Sequence, residues 1–259
     1  MSCPVFRFAP SPNGYLHLGH AYSALLNAQM AAAAGGRLLL RIEDTDESRA
    51  RPEFLAAILE DLAWLGLSWE EPVRIQSQHF ADYQANLGRL WEMGAIYPCF
   101  CSRKQAGVLT SRDPEGQPHY AGHCRGLTAN EARRRVASGA IHGWRIDMAR
   151  AADPEAAVWG DAVIAKRWVG SSYHIAVVTD DALQGVTHVV RGKDIAPATP
   201  LHILLQRLLG LATPHYHHHD LILDEQGRKL SKSIGSRSLR QLRQEGVSAA
   251  AIRNQLGFA

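Results

Sequence analysis

No run of about 18 consecutive apolar residues occurs in the 259-residue chain, which excludes a membrane-crossing helix on length alone. Residues Met1 to Pro10 carry arginine and proline where a secretory signal would need an apolar stretch. A cytoplasmic protein with no membrane partner is therefore expected. Cysteine is scarce: of four, Cys99, Cys101 and Cys124 crowd together and Cys3 stands apart. That spacing suits a metal site in a reducing compartment better than paired disulfides. Charge of one sign is also lacking, since 28 basic residues meet 25 acidic ones. With 46% hydrophobic and 20% charged residues, a disordered or fibrous chain is excluded. No internal repeat is visible. At roughly 150 residues per domain, the length implies one large domain with an insertion or appendage.

Balanced overall, the charge is unevenly spread. Nine acidic and two basic residues lie between Glu43 and Glu71, nine basic and four acidic between Cys99 and Ala151, and seven basic and two acidic from Glu225 to Ala259. Two basic blocks flanking a neutral or acidic body suit a polyanion such as nucleic acid, or are solvated helix faces.

Apolar patterning supplies the organisation. Val5 to Phe8 reads as a buried strand, followed by a loop with Pro10, Pro12, Asn13 and Gly14 and a helix from about Leu18 to Ala34. Leu38 to Ile42 reads as a second strand. Phe54 to Leu65 and Phe80 to Trp91 have helical spacing, and Ile175 to Val178 and Val186 to Val190 read as further strands. The expected fold is α/β, a parallel Rossmann-like sheet. Its halves, 1–95 and 168–237, are separated by an insertion over 96–167, where periodicity fails, and followed by a helical tail over 238–259.

Four groups of residues carry chemistry. In HLGH, His17 and His20 stand three apart where a strand and a glycine-bearing loop open a helix. Free N–H groups and the positive dipole end make an anion site there, and Gly19 leaves room for a planar base against the backbone. Taken alone, the pair could equally hold metal or lie idle on the surface. In KLSKS, Lys229 and Lys232 lie on a polar loop and could neutralise a leaving pyrophosphate. Arg7, Glu43 and Arg191 fall at or just beyond the C-terminal ends of three strands, where an open α/β sheet places its ligand. Two guanidinium forks and a carboxylate would suit a substrate with two carboxylates and one ammonium. Cys99, Cys101 and Cys124 could hold a structural zinc, with His119 or His123 as a chemically reasonable fourth ligand. His217, His218 and His219 alternate across a strand and receive no catalytic role.

HLGH and KLSKS, in this order, resemble the HIGH and KMSKS motifs of class I aminoacyl-tRNA synthetases. FRFAPSPNG at 6–14, RIEDTDESR at 41–49 and SYHIAVVTDDALQGVTHVVRG at 172–192 are similar to the glutamyl branch. The glutaminyl branch differs at Ser11 and in the RIEDTD segment. About 26 residues follow KLSKS, so no anticodon-binding domain is expected. That shortness, Val177 and a C-x-C…Y-x-x-x-C pattern resemble the glutamyl-queuosine tRNA(Asp) synthetase family. The resemblance implies ATP-dependent, tRNA-independent activation of L-glutamate, followed by transfer to the queuosine base of tRNA(Asp). It implies glutamate contacts at Arg7, Ala9, Ser11, Glu43, Tyr173 and Arg191. ATP contacts are implied at His17, Gly19, His20, Asp194 and Lys232, with catalysis by His17, His20, Lys229 and Lys232. It also implies Mg²⁺ with ATP, one structural zinc held by Cys99, Cys101, Tyr120 and Cys124, and a monomer. The rival readings are a truncated glutamyl-tRNA synthetase charging the tRNA 3′ end, a nucleotidyltransferase of the same fold and a catalytically silent RNA-binding paralogue.

Overall fold

The structure, a computed structural model, describes residues 3–107, 109–223 and 237–258. They form two compact units: the described parts of 1–78, 185–196 and 214–259, and those of 79–184 and 197–213.

The first unit is built on five parallel strands. Val5–Phe8 (β1) is buried at every position, as expected of a strand covered on both faces. With Arg37–Ile42 (β2), Glu70–Ile75 (β3), His188–Gly192 (β7) and His215–His219 (β8), it gives the order β3-β2-β1-β7-β8. Leu18–Ala33 (α1) and Pro52–Trp64 (α2) are the crossovers between β1, β2 and β3. Gly36 lets α1 hand over to β2 tightly. A Cβ there would lie 2.5 Å from the Pro4 carbonyl, which accepts the Arg37 N–H at 2.8 Å. The tail is helical, as its pattern predicts, over Leu239–Gln244 (α9) and Ala249–Gln255 (α10). Phe8, Leu16, Leu40, Ile58, Leu62, Leu239 and Ile252 share one apolar cluster. By strand alternation, the opposite face of the sheet carries Arg7, Arg41, Val189, Arg191, Tyr216 and His218.

One carboxylate in this core is under tension. Asp61 of α2 is fully buried and neither of its oxygens is hydrogen-bonded. Arg243 of α9 stands 3.5 Å away and shares itself with Glu60 at 2.8 Å. Burial pushes the Asp61 carboxyl up to about 6 against the pull of Arg243. A raised acid favours the fold when protonated, so its stabilisation is full below about pH 4 and is lost as pH rises through about 6. Asp61→Asn should therefore be more stable than wild type at pH 8 by about 1–2 kcal/mol, after discounting for solvent screening. Urea titrations at pH 5 and pH 8 would read this as a smaller pH dependence in the variant. An unchanged gap would count against it.

The second unit holds a small antiparallel sheet of Ile96–Cys99 (β4), Gly143–Ile146 (β5) and Val163–Ala165 (β6). Short helices Arg103–Ala106 (α4), Ala129–Ala137 (α5) and Met148–Ala151 (α6) connect its strands. Strands of three or four residues are too brief to show a period, so the sequence reads as patternless there. Phe80–Glu92 (α3), Tyr173–Leu183 (α7) and Thr199–Leu209 (α8) pack together. The strand expected at Ile175 to Val178 is instead part of α7. Residues 174–181 are all buried, and an apolar run buried on every side does not distinguish helix from strand. Tyr83 of α3 donates to Asp180 of α7 at 3.0 Å, and Asn86 donates to Thr179 at 2.9 Å.

Candidate active site and cysteine cluster

β1 leads through a loop to His17, which caps α1 in place of the usual serine or threonine. The His17 Nδ1 accepts the Gly19 N–H at 3.1 Å, and the His20 Nδ1 accepts the His17 N–H at 3.2 Å. This is a capping box made of two imidazoles. In neutral rings, an Nδ1 that accepts leaves the proton on Nε2, so both histidines carry an N–H on the ring edge away from the helix backbone. Their centroids are 3.9 Å apart. A Cβ on Gly19 would lie 3.0 Å from the His17 Cε1, so this glycine is what lets the ring fold back over the helix start.

The chain that re-enters the described region at Arg237 meets this same loop. Ser238 bridges to His17, the Leu239 N–H donates to the Leu16 carbonyl at 2.8 Å, and Arg240 donates to the Tyr15 hydroxyl at 3.0 Å. Lys229 and Lys232 lie outside the described residues.

Along the sheet face opposite α1, three guanidinium groups are almost fully buried on adjacent strands: Arg7 on β1, Arg41 on β2 and Arg191 on β7. Arg7 donates to the Val190 carbonyl at 3.4 Å. Arg41 meets Glu43, just past the end of β2, at 3.1 Å. The Glu43 N–H donates to the Pro10 carbonyl at 3.0 Å, which ties this carboxylate to the loop carrying Ala9 and Ser11. The Arg191 Nε donates to the His218 Nε2 at 3.4 Å, and its guanidinium lies over Tyr216, 5.1 Å from the ring centroid. Burial, followed by the neighbouring Arg191 charge, lowers the His218 pKa, so the ring stays neutral and able to accept. Arg7 and Arg191 thus bring two guanidinium forks, the geometry that suits a carboxylate, to one sheet face.

Asp194 follows β7 in the short helical turn Lys193–Ala198. A Cβ on Gly192 would collide with its carboxylate and lie 2.9 Å from Leu221, so the glycine makes room for the acid. Tyr173 opens α7 in the second unit. Its ring meets the edges of His174 at 5.7 Å and His202 at 5.4 Å.

The second unit also carries the sulfur cluster. Cys99, Cys101 and Cys124 place their Sγ atoms within 4.8 Å of one another. The Tyr120 hydroxyl lies 3.2 Å from the Cys101 Sγ and accepts the Cys124 N–H at 2.8 Å. Burial works to raise Cys124, but hydrogen bonds from Tyr120 and the Phe100 N–H outweigh it and hold the thiol below its ordinary value. Three sulfurs 2.3 Å from a tetrahedral zinc stand about 3.8 Å apart, and the Cys101 and Cys124 sulfurs are 3.6 Å apart. The donor set fits the ion. Both ring nitrogens of His119 point elsewhere, to Ser111 at 3.0 Å and the Val158 carbonyl at 2.9 Å. Among the described residues, neither His119 nor His123 joins the metal-competent group.

Sequence reasoning passed over Arg41 and His218. Arg41 is read as strand filling, yet RIEDTD already carries a basic residue two places before Glu43. His218 is hidden in a run of three histidines, and only the β7–β8 register sets it opposite Arg191.

A parallel sheet whose first crossover opens on HLGH, with a guanidinium-rich face at its strand ends, defines the catalytic domain of a class I aminoacyl-tRNA synthetase. Residues 5–258 match the model of tRNA synthetases class I (E and Q), catalytic domain, and the chain belongs to that family, a family of ligases. Among its relatives is a Glutamyl-Q tRNA(Asp) synthetase of Rhodobacter capsulatus, 44% identical over 98% of this chain and 100% of the relative. Glutamate-tRNA ligase 2 of Nitrosococcus oceani is 40% identical over 96% of this chain, which spans 58% of that protein. The crystal structure of a glutamate tRNA ligase from Elizabethkingia meningosepticum in complex with its amino acid superposes with a TM-score of 0.75 at 26% identity, covering 95% of this chain and 53% of the other. Among the described residues, no helix is long and apolar enough to cross a membrane.

Proposed function

We propose that this chain activates L-glutamate with ATP, without tRNA, and passes the glutamyl group from the adenylate to the queuosine base of tRNA(Asp). The observation that carries the first half is the face of buried arginines on the strands leading to the HLGH helix start. In this reading Arg7 and Arg191 hold the substrate's side-chain carboxylate, with His218 aiming Arg191. Glu43 takes the ammonium, and Ala9 and Ser11 line the loop side. The α-carboxylate attacks the α-phosphorus in line and pyrophosphate leaves. Negative charge grows on the phosphate oxygens, where donors aimed at the transition state contribute most. His17 and His20 supply Nε2–H donors, Lys229 and Lys232 receive the leaving pyrophosphate, and Asp194 and Gly19 serve the nucleoside. Mg²⁺ bound with ATP would neutralise the triphosphate. No covalent enzyme intermediate is needed. The full-length likeness to the Rhodobacter protein supports queuosine as acceptor, and the likeness to the Nitrosococcus ligase supports the rival, charging of the tRNA 3′ end.

Radiolabelled glutamate, ATP and tRNA(Asp) with and without queuosine, followed by nuclease mapping, separate the two. Label in the anticodon fragment only when queuosine is present is the expected result. Label on the terminal adenosine would transfer the chain to the rival reading.

The sulfur cluster is proposed to hold one structural zinc through Cys99, Cys101, Cys124 and Tyr120. The segments around the cluster, 100–107 and 109–127, have little regular structure of their own, so the metal would supply much of the local folding energy. Cys99→Ser should release zinc, measured by elemental analysis, and speed proteolysis within roughly residues 96–130. Glutamate-dependent pyrophosphate exchange should survive in part. Wild-type protein purified without chelators but free of zinc would end this assignment.

A further inference from the structure

Register gathers three loops at one end of the small sheet of the second unit. Cys99 pairs with Gly143, and Trp144 pairs with Ala165, so the exit of β4, the entry of β5 and the exit of β6 lie side by side. The loops there carry Phe100, His142 and the segment from Lys166 to Trp168. Arg167 staples them: it donates to the Cys101 carbonyl at 3.0 Å and to the Ile141 carbonyl at 3.2 Å. The turn that follows is closed by its own backbone, Lys166 N–H to Ser171 at 2.9 Å and Gly170 N–H to Lys166 at 3.0 Å. On this fixed turn stands Trp168, 79% exposed and the most exposed large apolar side chain among the described residues. Beside it Ile141 is 43% exposed, Phe100 and His142 meet at 5.6 Å, and Arg135 lies over Phe100 at 5.5 Å.

A scattered surface aromatic needs no explanation, but a large ring held out on a braced turn is different. Lys166 flanks it, exposed and within electrostatic reach of the Glu115 carboxylate, while residues 99–102, 140–143 and 166–171 contribute no acidic side chain of their own. An exposed aromatic plane with a flanking cation is the chemistry that holds an unstacked nucleobase and its phosphate. We propose that this sheet end is an RNA-docking edge on which Trp168 stacks one unpaired base of the acceptor tRNA while Lys166 meets a neighbouring phosphate. The proposal rests on the reading that a tRNA accepts the glutamyl group, and it adds where, and by which side chain, the RNA is held.

The test uses the intact protein with Trp168→Ala, Trp168→Phe and Lys166→Ala. Glutamate-dependent pyrophosphate exchange, run without RNA, should stay within about twofold of wild type in all three, which also reports that they fold. Binding of tRNA(Asp) should weaken roughly 5- to 100-fold in Trp168→Ala and by less than about threefold in Trp168→Phe, because a base stacks on either ring. Lys166→Ala should lower the slope of log Kd against log salt by about one. Wild-type tRNA affinity in Trp168→Ala overturns the edge while leaving the enzyme reading intact. Conversely, if wild type binds tRNA but transfers no glutamate, the enzyme reading fails and the Trp168 comparison still decides the edge. Trp168-dependent binding to anionic vesicles with no response to RNA would assign the surface to lipid and overturn the proposal.

Discussion

Replacing His20 with alanine is expected to depress glutamate-dependent pyrophosphate exchange by about 10²–10³-fold, the loss associated with removing one donor aimed at a developing oxyanion. The capping box makes the prediction more specific than a count of histidines. His20 accepts from the His17 backbone through Nδ1 at 3.2 Å, so Nε2 is the donor. Glutamine at this position can accept the same backbone N–H through Oε1, as it does at the third residue of many helices, and still turn an amide N–H outward. His20→Gln should therefore recover a substantial part of the activity lost in His20→Ala. His17→Ala should combine a catalytic loss with the removal of the N-cap, which costs about 1 kcal/mol of stability. Wild-type exchange in a folded His20→Ala protein would remove the ring from the mechanism.

Glutamate should be preferred over glutamine by at least a few hundredfold in the same assay. A neutral amide leaves the buried guanidinium groups of Arg7 and Arg191 poorly matched, a penalty of several kcal/mol. Arg191→Ala should cost about 10²–10³-fold in kcat/KM for glutamate, with little change in KM for ATP. Arg191→Lys should not restore it, since an ammonium has neither the planar fork for a carboxylate nor the flat face that lies over Tyr216. Efficient exchange with glutamine would sink the pocket. His218→Phe should raise KM for glutamate more than it lowers kcat, because the ring acts by aiming Arg191.

What the sequence makes legible follows a physical division. β1, α1, β2 and the tail announce themselves because each buries one stripe or a short solid run whose period the sequence repeats. The two histidines of HLGH are visible as a motif, whereas their mutual capping is not, since it depends on ring orientation. Arg7, Glu43 and Arg191 are readable because strand ends are readable. Arg41 and His218 act through neighbours on adjacent strands, and pairing register cannot be counted from one strand. α7 is misread for the opposite reason: residues 174–181 are all buried, and polar residues such as Thr179 and Asp180 bond to α3 instead of marking a solvent face. The small sheet goes unnoticed because its strands are shorter than any window that could detect them.

The strand order bears on how the molecule is made. β1 lies between β2, which begins at Arg37, and β7, which begins at His188. The Val5 N–H reaches the Thr187 hydroxyl at 2.8 Å, and the Thr187 N–H returns to the Val5 carbonyl at 2.9 Å. During synthesis β1 therefore waits with one edge open until some 180 further residues have left the ribosome, more than half of them belonging to the second unit. Closing so long a loop is slow, and an open apolar strand edge invites pairing with other chains. The second unit is interrupted far less, and its small sheet is complete in sequence by Ala165. Arg7 and Arg191 come together only when β7 docks, so anion affinity at the sheet face should be acquired late and all at once, as one of the last events of folding.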